Sequence, residues 1–151
     1  MGAGTSPTTI GATWTVTTPF AGGSGFNAAT GTWTVPAAGT YAIHVALSFD
    51  TNSPTTSTAD PGPELQLRRT SPSAATLLSQ PFPVFDTNLA GLVGRVILGV
   101  GEVVLAGDLV LAAADQLTLV YNPRSEANTA IDLGGPSGTT NPIVWSVHRI
   151  A

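Results

Sequence analysis

The side chains able to do chemistry are few. Two histidines (His44 and His148), five arginines and nine Asp and Glu stand among 151 residues, with no lysine and no cysteine. Without cysteine there is no disulfide, no thiolate nucleophile and no Cys-ligated zinc. Without lysine there is no Schiff-base chemistry and no phosphate loop ending in Gly-Lys-Ser/Thr. Ser24 and Ser137 lie beside glycines, but neither completes Gly-x-Ser-x-Gly, and two histidines on strands supply no triad. Asp108 and Asp115 stand at the starts of apolar runs, where a carboxylate fixes a turn through backbone hydrogen bonds. Asp60 and Glu64 lie at the end of the Pro/Ser/Thr-rich stretch Thr51 to Glu64, without the Asp-x-Asp-x-Asp-Gly spacing of a calcium loop. Arg68-Arg69 is a lone basic doublet, read as a solvated edge. The reading is therefore non-enzymatic, with no cofactor and no bound metal.

The elements that must position these residues are strands. "TYAIHVALSFD" places Tyr41, Ile43, Val45, Leu47 and Phe49 on one face and Ala42, His44, Ala46, Ser48 and Asp50 on the other, five consecutive matches to period two. Thr-Trp-Thr-Val occurs twice, putting Trp14 with Val16 and Trp33 with Val35 on apolar faces, and both copies are expected as strands. "ELQLRRTSPSAATLLSQPFPVF" reads as short strands around a turn. The run from Gly94 to Pro123 reads as further strands broken at Gly99, Gly101 and Gly107, with Leu117, Leu119 and Tyr121 alternating near its end. "RSEANTAIDLGGPSGTTN", Arg124 to Asn141, reads as a polar loop, and "IVWSVHRIA" as a last strand with Ile143, Trp145 and Val147 on one face. No stretch makes a convincing amphipathic helix, which predicts an all-β sandwich or barrel.

Composition limits partners. Charged residues make up 9% of the chain and the net charge is −4, so no basic stripe is available for nucleic acid or an anionic membrane. The apolar runs are short and cut by 17 Gly and 12 Pro, which excludes a membrane-spanning helix. A surface this poor in charge is better explained by coverage from neighbouring copies than by Thr, Ser and Asn alone. The N-terminal stretch shows neither a basic region nor an apolar run of signal-peptide length, so cytoplasmic synthesis is expected.

The segment "GFNAATGTWTVPAAGTYAIHVALSF", Gly25 to Phe49, resembles the jelly roll shared by the globular heads of complement-type collagen proteins and the tumour necrosis factor superfamily. Asn27, Thr30-Gly31, Trp33, Pro36, Gly39 and Tyr41 carry the likeness. "LAAADQLTLVY" is similar to the family's Leu-x-x-Gly-Asp-x-Leu strand start, with Ala114 in place of glycine, and "NPIVWSVHRIA" to its closing strand. The resemblance implies an antiparallel jelly-roll sandwich over residues 11–151 behind a short N-terminal arm, 1–10, assembled as a compact homotrimer; the expected member departs from the complement-type proteins in having no collagen stalk. It also implies that the strands of His44 and His148 are antiparallel neighbours facing the three-fold axis. That face then offers His44, Ala46, Tyr121 and His148 to the trimer interface. With no carboxylate at ligand spacing, the two histidines read as polar interface packing, and a cross-strand site repeated three times that takes a metal or senses acidic pH is the alternative. Loops are left for contacts with a partner, with Asp60, Glu64, Arg124, Ile131 and Leu133 as candidates.

The expected role is a structural or binding component of a tailed-phage virion, either a capsid decoration protein or a tail or fibre adhesin head. Its partners would be its own copies together with capsid or tail proteins, or a host-surface receptor or glycan. A trimeric lectin-like module on a bacterial surface is the alternative, and a hydrolase on a β-sandwich comes last.

Overall fold

The structure, a computed structural model, describes residues 6–11, 14–18, 23–51, 55–56, 62–83, 85–89, 92–97, 99–124, 131–134 and 143–151. Among the described residues there are thirteen strands and no helix. They are β1 (Thr8–Thr9), β2 (Phe26–Asn27), β3 (Thr32–Thr34), β4 (Gly39–Thr51), β5 (Thr55–Thr56), β6 (Glu64–Ser71), β7 (Ala75–Pro81), β8 (Phe85–Leu89), β9 (Leu92–Ile97), β10 (Val100–Leu111), β11 (Gln116–Asn122), β12 (Ile131–Leu133) and β13 (Ile143–Arg149).

Two antiparallel sheets pack as a sandwich. One runs β2-β3-β11-β6-β7, with β1 on the same edge of β11 as β3. The other centres on β4, paired with β10 along one edge and with β13 and then β12 along the other. A small third sheet joins β5, β9 and β8. The core lies between the two large sheets, where the apolar face of β4 (Tyr41, Ile43, Val45, Leu47, Phe49) meets Leu65 and Leu67 of β6 and Leu117, Leu119 and Tyr121 of β11. Trp33 and Tyr41 meet edge to face with ring centroids 5.3 Å apart, and Phe82 bridges Phe49 and Tyr121 at 5.2 and 5.7 Å. Such pairs add directionality to what is otherwise area burial.

Several expectations need correction. Residues 14–16 are not a strand. The Trp14 indole instead donates to the Ile10 carbonyl at 3.3 Å and packs edge to face on Phe26 and Trp145, so it plugs one side of the sandwich rather than joining a ladder. This closeness requires Gly31, which has φ +63°, and a Cβ there would lie 2.6 Å from the Ile10 carbonyl oxygen. β10 is not broken at Gly101 or Gly107. Both face inward along one continuous strand, and a Cβ at Gly101 would meet the Phe49 ring at 2.6 Å, so that glycine makes room for a core side chain instead of a turn. Asp108 therefore sits within β10 and opens no strand. The expected polar loop contains β12, whose Ile131 is buried in the core. Of the expected N-terminal arm, Thr8 and Thr9 pair with Tyr121 and Val120, and Ile10 is buried.

Candidate functional site

The outer face of the four-stranded sheet is built by alternation. With Tyr41, Ile43, Val45, Leu47 and Phe49 committed to the core, Thr40, Ala42, His44, Ala46, Ser48 and Asp50 must face out. The register then sets their neighbours in rows across the sheet. Val104, Ala46 and Val144 form one row, Ala106, His44 and Ser146 the next, and Asp108, Ala42 and His148 the one after. Beyond it Val110 stands opposite Thr40, whose carbonyl accepts from the Ile150 amide at 2.9 Å. In the other direction Glu102 opposes Ser48, and Val100 and Asp132 flank Asp50.

The result is a face with an apolar middle row, an apolar end and an acidic end. Val110 is 85% exposed, Val100 64%, Ile150 56%, Val104 40% and Val144 36%. Only Val16 among the described residues is a comparably exposed large aliphatic elsewhere. Aliphatic side chains gathered on one sheet face, with small Ala42, Ala46 and Ala106 between them, make a flat surface that another protein can cover.

The expected site residues divide. His44, Ala46 and His148 come together on this face, where His44 stands opposite Ser146 and His148 opposite Ala42, so the two imidazoles are diagonal neighbours. Among the described residues no group of three or more His, Asp or Glu is placed to hold a metal. Tyr121 is elsewhere: it alternates with Leu117 and Leu119 on the inner side of β11 and is buried against Phe82, out of reach of any partner at this face. The sequence missed Val104, Val110 and Val144. For Val104 and Val110 the signal was the even-numbered alternation of β10, which becomes visible once Gly107 is read as part of the strand, and for Val144 its place between Ile143 and Trp145 on the opposite face of β13.

The expected loop contacts also move. Asp60 lies outside the described residues. Glu64 opens β6, only 3% exposed. Its carboxylate accepts hydrogen bonds from Arg124 Nη2 at 2.7 Å, Asn122 Nδ2 at 3.1 Å and the Gln66 amide. Burial alone would push this carboxyl up, but the hydrogen bonds from Arg124 and Gln66 and the Arg124 charge hold it below the ordinary range. The same contact raises the Arg124 guanidinium. Arg124 reaches it from a left-handed backbone, φ +51°. The pair closes the ends of β6 and β11 on themselves, which makes it internal bracing. Ile131 is 1% exposed and Leu133 is half-buried against the core, so Ile131 offers no surface for docking. Asp115 is buried and fixes the turn before β11, accepting from the Ala112 amide at 3.0 Å, with Arg69 Nη1 3.7 Å away.

No protein-family model matches the chain, and no curated protein matches it.

Proposed function

We propose that this chain is a non-enzymatic structural or binding component of a tailed-phage virion, a capsid decoration protein or the head of a tail or fibre adhesin, and that it works as a homotrimer through the outer face of β10, β4 and β13. The observation that carries this reading is the row Val104, Ala46 and Val144, with the exposed Val110 and Ile150 at one end of the same face, in a chain of which only 9% is charged. Burying such a face against its own copies removes apolar surface from water at about 25 cal/mol per Å², and a shell or fibre component is a protein largely covered by copies and neighbours. The occupant is a second copy because the face carries an apolar row and, among the described residues, no arginine, which is compatible with self-packing about a symmetry axis.

The order in which the strands change sheets supports the same reading. From β3 the chain passes to β4 in the other sheet, returns for β6 and β7, crosses to β10, returns for β11 and crosses again to β13, so that strands close in sequence alternate between layers.

Light scattering of the purified protein is expected to give a mass near three times 15.3 kDa. Replacing Val104 and Val144 together by Asp should reduce it to the single-chain mass with the fold retained. A single-chain mass for the wild type would overturn the assembly. Antibody labelling of phage particles from the source, seen by electron microscopy, tests the virion; unlabelled particles would overturn that part.

A further inference from the structure

On the opposite side of the sandwich the six-stranded sheet carries a depression of about 230 Å³. Thr118 and Val120 of β11 form its floor, Pro7 and Thr9 stand on one side, and Arg68 and Ala74 on the other. Two features mark it as more than a surface irregularity. Thr118 is 5% exposed, and its hydroxyl has no hydrogen-bond partner among the described residues. A buried hydroxyl left unpaired is costly, and native structures seldom tolerate one without a reason. Arg68 stands directly opposite Thr118 in the β6–β11 register, on the same face, and has neither an ion-pair nor a hydrogen-bond partner among the described residues.

Its neighbour Arg69 also lines the depression but is engaged. Nε and Nη2 donate to the Ser73 carbonyl and hydroxyl at 3.1 and 3.2 Å, and Asp115 lies 3.7 Å from Nη1. Thr70, a further lining residue, gives its hydroxyl to the Gln116 carbonyl at 3.3 Å. The donors without a partner among the described residues are therefore the Arg68 guanidinium and the covered Thr118 hydroxyl, in register across the two strands. Among the described residues no acid lines the depression, although the chain as a whole is acidic, with a pI near 4.7.

We propose that the Arg68–Thr118 depression binds a carboxylate carried by a small hydroxylated molecule, a sugar acid being the class that fits. The planar guanidinium matches a carboxylate through two parallel hydrogen bonds, and the Thr118 hydroxyl, whose oxygen is covered in the free chain, turns about its Cα–Cβ bond to pair one of the same oxygens. The volume exceeds what a bare oxyanion fills, being room for roughly seven waters. The remaining wall mixes the Thr9 side chain with apolar Pro7, Ala74 and Val120, which suits a ring bearing hydroxyls on one side and C–H groups on the other. This site is on the sheet away from the proposed assembly face, so it stands or falls independently of that face.

The test is a titration of the whole chain, followed by nuclear magnetic resonance, with sodium glucuronate, glucose and inorganic phosphate as separate probes. Glucuronate should shift the signals of Arg68 and Thr118 saturably, glucose should not, and phosphate should bind more weakly than glucuronate. Arg68→Gln should weaken glucuronate binding by roughly tenfold or more, Thr118→Val by several-fold, and Arg149→Gln not at all. Thr118→Val should also melt no lower than the wild type, because it removes an unpaired hydroxyl. The proposal is overturned by an unsaturable glucuronate response, by undiminished binding to Arg68→Gln, by glucose or phosphate binding as tightly as glucuronate, or by a marked fall in the melting temperature of Thr118→Val.

Discussion

The outer faces of the two sheets are made of the same kind of strand and treat exposure in opposite ways. On the four-stranded sheet, Val104, Val110 and Val144 are left in water among polar groups that include Asp50, Glu102, Asp108 and Asp132. On the six-stranded sheet, Val120, Thr118, Gln66 and Glu64 are all under a tenth exposed within the single chain, and the Glu64 carboxylate is met by three donors. One face buries its polar and apolar groups together; the other leaves aliphatic side chains in water. Burial of outward-facing residues thus does not follow from alternation alone. Period two says which side a residue lies on, and only the tertiary structure says whether that side is wet.

The largest effect expected from this contrast comes from placing the same charge on each face. Val120→Asp puts an unpaired carboxylate where the valine is 5% exposed and should cost about 3–5 kcal/mol of stability. Val104→Asp should change the stability of the isolated chain by about 0.5 kcal/mol or less. Chemical denaturation under conditions where both variants are single chains measures this directly. Equal losses would mean that the two faces do not differ as described.

A smaller effect tests the bracing at Glu64. Glu64→Gln keeps the shape and removes the charge, and is expected to cost about 1–3 kcal/mol at neutral pH, discounted from a fully buried pair because Arg124 is partly exposed. Because the folded-state value of Glu64 lies below its unfolded one, this stability is present above the unfolded value near 4.5 and is lost as pH falls through the lower folded value. The melting temperatures of wild type and Glu64→Gln should therefore differ at pH 7 and converge on acidification below about pH 4.5. A gap that stays constant down to low pH would mean that the Glu64 charge contributes nothing.

How far the sequence could be read varies with how many residues carry the pattern. β4 was legible because five apolar residues alternate without interruption, and β13 followed from Ile143, Trp145 and Val147. β10 was misread as fragments because Gly101 and Gly107 look like punctuation; only Phe49 and Leu78, distant in sequence, show that the missing side chains leave space for core atoms. Ile131 and Leu133 are too few to establish a period, so their aliphatic character suggested a docking surface as readily as a core strand. The Glu64–Arg124 pair joins residues 60 positions apart, a relation that composition and spacing do not encode. His44 and His148 were placed on one face by resemblance to a family, and the register of β4 with β13 brings them there.

The smallest effect concerns the turn that carries the chain from one sheet to the other. β10 ends at Leu111 and β11 begins at Gln116, so the connection must reverse direction within four residues. Asp115 holds its start through the Ala112 amide, and Ala114 donates its own amide to the Val35 carbonyl at 2.9 Å. To do so Ala114 adopts φ +68°, the left-handed region, where a Cβ crowds the backbone at a cost of about 1–2 kcal/mol. Glycine escapes that cost but loses more freedom on folding, about 0.5–1 kcal/mol. The balance predicts that Ala114→Gly stabilises the chain by about 0.5–1 kcal/mol, read as a rise in the denaturation midpoint. Since the turn belongs to neither outer face, the substitution should leave the association state and the pH response of Glu64 unchanged. A loss of stability would show that the methyl group of Ala114 makes contacts worth more than the strain it brings.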